Sequence, residues 1–375
     1  MDLLRKNKKD SFKKEKFKKG KSKFGSYYIA PDFVKRHIGV RKIYDNGLIE
    51  HNDDCFTLAF SFSYSSNNID EVNDFMNDLR ISDCVVRFIN DLEKKSHMMV
   101  ISFKLINLNE LNERIETIKK NLLYSAQKNN ITINQIELND LITKYVGFLK
   151  EIFDIDDIDA SMFFKDISVF LKSIYDSKGN MILDNESYWF RSDITDKYYL
   201  FASISNYPYK YDEFESILSS LDYIKFNISE MTPISDYNLI RNFNSLYVGY
   251  NGLVNRIKRN NKELYDIYLE FKKKKGKFND SRKFCYISKL YLIEGDSLEE
   301  LEDNFNSFKN LLKSAGFSVD KIFYNSMNLI NVICGISNKS FKANSLIKSS
   351  EVGKLLIPYE KNIDDMDILK NYFMN

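Results

Sequence analysis

Apolar and polar positions along the chain change period several times, and each change marks an element. Phe56, Leu58, Phe60 and Phe62 alternate with Thr57, Ala59, Ser61 and Ser63, which predicts a half-buried strand. Before it, Asp45-Asn46-Gly47 is a turn between two short apolar runs. After it come a short helix over Asp70 to Leu79 and two strands, Val85 to Ile89 and Met99 to Leu105. Leu111, Ile115, Ile118 and Leu122 then recur at helical spacing and predict a helix with one apolar stripe. A second strand-rich stretch opens with Tyr198 to Ile204, followed by a helix over Glu213 to Leu221 and a strand from Tyr223 to Ile228. Helical spacing returns over residues 236–272, with Gly249 and Gly252 as breaks.

The last hundred residues hold the clearest local unit. Cys285 to Ile293 is strand-like. Ser297 and Glu300 form a capping box, in which the serine oxygen meets a free backbone N–H and the glutamate reaches back. Leu298, Leu301, Phe305, Phe308, Leu311 and Leu312 line one helical face, Gly316 stands where a left-handed stop belongs, and Phe317 to Phe323 returns as a strand. Strand, helix, strand in this order is the split βαβ unit of ferredoxin-like domains, and the segment from Tyr198 to Ile228 repeats the order. The expected fold class is α+β: two related modules with mostly antiparallel sheets and packed helices. The expected boundaries are a disordered basic tail over 1–24, a first module over 25–150, a linker or hairpin region over 151–196, a second module over 197–360 and a C-terminal tail over 361–375.

Charge sharpens this division. Residues 1–24 carry Arg5 and ten lysines against Asp2, Asp10 and Glu15, a net +8 that leaves −6 for the rest of the chain. Self-repulsion and scarce apolar area predict disorder there. Lys13, Lys14, Lys16, Lys18 and Lys19, interleaved with Phe12 and Phe17, are candidate contacts to an anionic surface, nucleic acid or membrane; Lys272, Lys273, Lys274 and Lys275 are a second candidate run. Against this stands a plain solvated tail and, for the second run, a helix end whose cations complement the backbone dipole. With 13 Gly and 4 Pro in 375 residues the chain is not loop-dominated, and no apolar run approaches the length that spans a bilayer. The basic N-terminus lacks the apolar core of a secretory signal, so a cytoplasmic protein is expected.

Catalytic and metal signatures are sparse. Gly20-Lys21-Ser22 supplies only the end of a phosphate-binding loop, and no strand precedes it. The acidic run Asp154 to Asp159 lacks the glycine and the terminal glutamate of a calcium loop. His51 and Cys55 have zinc-ligand chemistry but no second pair, and Cys55, Cys84, Cys285 and Cys334 sit in apolar settings that suit buried reduced thiols. Trp189 reads as a core or interface anchor. No catalytic residue, cofactor or metal is assigned, and binding is the expected mode of action.

Tyr44-Asp45-Asn46-Gly47-Leu48-Ile49 followed by the Phe56–Phe62 strand resembles the start of the conjugative-transfer ATPases of type IV secretion machines. Lys197-Tyr198-Tyr199-Leu200-Phe201-Ala202 resembles their middle strand, and Ser297 through Gly316 their late helix-then-strand unit. Ser350-Glu351-Val352-Gly353-Lys354-Leu355-Leu356-Ile357-Pro358 is similar to the stretch before their ATPase domain. The resemblance covers residues 25–360 and stops where the phosphate-binding domain would follow. It implies the N-terminal, non-hydrolysing part of that family (a TraC-type domain), assembled at the cytoplasmic face of a membrane with a separate P-loop ATPase or a channel subunit, or with further copies of itself. The other class left open is a nucleic-acid-binding accessory protein of a mobile element, acting through the basic tail.

Overall fold

A computed structural model describes residues 18–22, 24–30, 32–63, 71, 74–75, 78, 84–94, 96–105, 107–152, 188–192, 195–207, 221–233, 269, 284–323, 326–338 and 345–348. The first elements are β1 (Lys18–Ser22), β2 (Gly25–Ile29), α1 (Asp32–His37), β3 (Val40–Tyr44) and β4 (Ile49–His51). A first unit follows with β5 (Cys55–Ser63), β6 (Cys84–Asp91), β7 (Ser96–Lys104), α2 (Leu111–Lys128) and β8 (Thr132–Gln135), and α3 (Leu138–Ile152) closes it. Between β5 and β6 the described residues Glu71, Asp74, Phe75 and Asp78 are helical. A second unit repeats the order with β9 (Trp189–Arg191), β10 (Tyr198–Asn206), β11 (Ile224–Pro233), β12 (Phe284–Gly295), α4 (Leu298–Ser314), β13 (Ser318–Lys321) and α5 (Ser326–Ile333), and β14 (Ser345–Lys348) pairs with β12.

Strand order makes the repeat explicit. The first unit runs β8-β5-β7-β6 and the second β13-β10-β12-β11, every pair antiparallel. Each is the fourth-first-third-second order of a ferredoxin-like sheet. β4 pairs with the start of β5, and β9 with the start of β10. The two second strands, β6 and β11, pair with each other, Arg87 opposite Glu230 and Ile89 opposite Ile228, so both units share one continuous sheet. That pairing hides the edge each unit would otherwise expose.

Helices cover both faces. Under α2 and α4 lie Leu58, Phe60, Met99, Ile101, Leu200, Ala202, Tyr291 and Ile293. Under α3 and α5 lie Ala59, Ile89, Val100, Phe201, Ile228, Leu290 and Leu292. The alternation in β5 predicted one buried face, but Thr57 and Ala59 are buried as well, because their small side chains let the second helix layer close over them. That layer is exchanged between units. Phe148 of α3 meets Phe226 of β11 edge-on at 5.2 Å, Tyr145 Oη donates to Asn331 Oδ1 at 2.7 Å, and the turn after α5 rests on Met98 and Val100 of β7.

Local signals place the ends of α4. Glu300 N donates to Ser297 Oγ at 3.1 Å, and the Glu300 carboxylate accepts from Asp296 N at 2.8 Å, one residue before the cap itself. Gly316 is left-handed (φ 87°), with Gly316 N bonded to Lys313 O and Phe317 N to Leu312 O. In the first unit Asn130 (φ 53°) takes the same place after α2, with Ile131 N on Ala126 O.

The tail expectation needs correction at its end. Residues 18–22 are strand, held by five-residue pairing with β2. Gly20 lies opposite Tyr27, whose ring fills the space a Cβ would occupy (2.5 Å), and Ser22 Oγ accepts from Phe24 N in the turn. Cross-strand aromatic cover outweighs the local charge repulsion, and it puts Gly20-Lys21-Ser22 in a hairpin rather than at a helix start. The expected helices over Glu213–Leu221 and 236–272, the acidic run at Asp154 and the stretch Ser350–Pro358 fall outside the described residues, apart from single positions; the linker or hairpin region over 151–196 is described only at 151–152, 188–192 and 195–196, where β9 pairs with β10 of the second unit.

Candidate functional site

The seam between β6 and β11 carries five buried polar side chains, Arg87, Asn90, Asn227, Ser229 and Glu230. On the α3/α5 face the Arg87 guanidinium donates twice to Glu230 Oε2, at 3.1 Å from Nε and 2.6 Å from Nη2, and once to Ser337 O at 2.7 Å from Nη1. Arg87 is 2 % exposed and Glu230 0 %. One planar cation therefore ties β6 of the first unit to β11 and to the turn after α5 of the second. Its fork geometry is what permits both partners at once.

Beside it runs a chain of three buried polar groups. His51 Nε2 lies 2.8 Å from Thr57 Oγ1, which lies 3.0 Å from Ser102 Oγ. Burial lowers the His51 pKa to about 4; Asp53 pulls it upward, and the Arg87 charge adds to the lowering. The imidazole is thus neutral in ordinary buffer. An imidazole, two hydroxyls and a nearby carboxylate have the composition of a nucleophilic relay. Here every member of the chain is buried, His51 and Thr57 at 1 % exposure, so the arrangement serves to fix β4 to the sheet. Cys55 sits at the same end. Burial raises its thiol pKa while the Asn338 side chain bonds to it, and Asn338 Nδ2 donates to Asp53 Oδ1 at 3.0 Å. His51 and Cys55 thus bond to different neighbours, Thr57 and Asn338. Among the described residues no group of three or more His, Cys, Asp and Glu is placed to hold a metal. All four cysteines are buried thiols outside any disulfide.

On the α2/α4 face the same seam carries Asn90 opposite Asn227, with Ser229 and Lys289 beside them, all buried. His97 Nδ1 lies 2.9 Å from Asn90 Oδ1, and Lys289 Nζ lies 5.7 Å from the centre of the Tyr291 ring. At the end of the sheet Glu93, Lys225, Glu294 and Lys197 alternate in sign at 2.7, 3.3 and 3.1 Å. Burial opposes the Lys225 charge, but Glu93 and Glu294 outweigh it and hold its pKa above the ordinary lysine value.

No protein-family model matches the chain, and no curated protein matches it. Of the sequence-derived contact residues, Lys13, Lys14, Lys16 and Lys272 to Lys275 lie outside the described residues, while Lys18 and Lys19 fall in β1. Neither Lys18 nor Lys19 belongs to the seam. Arg87 and Glu230, which do, are not singled out by any motif. The available signal was a lone cation inside the apolar run Val85-Val86-Arg87-Phe88-Ile89. Among the described residues no helix is long and apolar enough to cross a membrane.

Proposed function

We propose that the chain is a non-hydrolysing assembly component of a conjugation-like, type IV secretion-like transfer machine, a rigid platform for a separate P-loop ATPase or a channel subunit at the inner face of a membrane. One observation carries the reading: the two units form a single sheet, locked across the seam by Arg87–Glu230 and by exchanged helices. A surface fixed in this way loses little conformational freedom when a partner docks. Three of the four stretches that carry the resemblance are elements of this frame. Tyr44–Ile49 is the turn into β4, Phe56–Phe62 is β5, Lys197–Ala202 enters β10, and Ser297–Gly316 is α4 with both its caps.

The test is cross-linking mass spectrometry in the native host. Cross-links to transfer-machine subunits that vanish when the transfer genes are deleted support the reading. A monomer with background cross-links alone refutes it.

A further inference from the structure

We infer that the N-terminal hairpin is a binding surface for the phosphate backbone of single-stranded nucleic acid. This inference does not depend on the platform reading. The strongly basic segment of the chain ends in β1, the outermost strand of the sheet order, and so at an edge and not against the core. Lys19 and Lys21 are exposed on one side of that strand, and Arg36 of α1 is exposed nearby in sequence. None of the three has an ion-pair partner among the described residues, whereas Lys35 and Lys42 are paired with Asp32 and Glu50. Alternate residues of a strand stand about 7 Å apart. That spacing suits successive phosphates of an extended single strand.

Neighbouring rings favour nucleic acid over a lipid surface. Phe24 and Tyr27 turn inward onto Tyr44, at 6.3 and 5.5 Å between ring centres, and among the described residues none of the large exposed apolar side chains lies on the hairpin. Stable membrane attachment needs a second, apolar signal beside the charge. Backbone binding to nucleic acid needs the charge alone.

The probe is a labelled thymidine oligonucleotide, titrated at several salt concentrations against the full chain and against Lys19→Ala/Lys21→Ala. Anionic vesicles are titrated in parallel, and thermal melting shows that the variant is folded. The expected result is several-fold weaker binding by the variant, with a salt slope shallower by about 1.4, since each of two phosphates left without its cation removes about 0.7. An unchanged affinity and slope, absence of oligonucleotide binding, or binding to vesicles alone would overturn the inference.

Discussion

Arg87 and Glu230 are charges that a buried strand position ordinarily refuses. Removing one partner strands the other without water, so Arg87→Ala should cost about 3–5 kcal/mol. The paired replacement Arg87→Met with Glu230→Leu should recover most of that loss, since a buried pair is worth little more than an apolar pair of similar volume. Urea denaturation of the three proteins checks both statements. His51 makes a second prediction. Its folded pKa, about 4, lies below the ordinary 6.5, so the unfolded chain binds the proton more tightly. The contribution is therefore present above about pH 6.5 and is lost as pH falls toward 4, by up to about 3 kcal/mol. Stability measured from pH 7 to 4 should fall less steeply in His51→Gln. Equal slopes would assign the acid sensitivity to other groups.

Elements differ in how much of them is written locally. The ends of α4 follow from Ser297, Glu300 and Gly316, and its buried side from Leu301, Phe305, Phe308 and Leu312, so it is legible from its own residues. Ser297→Ala should cost about 1 kcal/mol and Leu301→Ala about 2–5 kcal/mol, in thermal or chemical melts. A Leu301→Ala protein of undiminished stability would make that stripe an interface rather than core. The central strands β5, β6, β7, β10, β11 and β12 are legible for the same reason, as apolar runs between turn residues. α5 is not: Ser326–Ile333 has only eight residues, five of them apolar, and period alone does not separate so short a run from a strand. β8 has only four residues, and β1 exists because Tyr27 and Tyr28 pair with it from beyond its own sequence. The seam is illegible because its partners, 143 and 250 residues apart, meet only through the topology.

For the whole molecule, the shared sheet and the exchanged helices predict one cooperative unfolding transition. Trp189, the single tryptophan, lies in the second unit against Tyr198, at 5.4 Å between ring centres. Its fluorescence and the far-ultraviolet circular dichroism should give the same midpoint in urea. An early, fluorescence-silent step in the dichroism would mean that the first unit unfolds alone. The cross-seam guanidinium has a further bearing on how the chain is made. When β6 leaves the ribosome, its outer edge and the Arg87 charge wait for β11 and Glu230, which follow roughly 7–30 s later at about 5–20 residues per second. The carbonyl of Ser337 arrives later still. During that interval the nascent first unit presents an open strand edge that carries a cation. A charge at an unpaired edge discourages strand addition by other chains. The same arginine that binds the finished halves together therefore guards the unfinished one against aggregation while it waits.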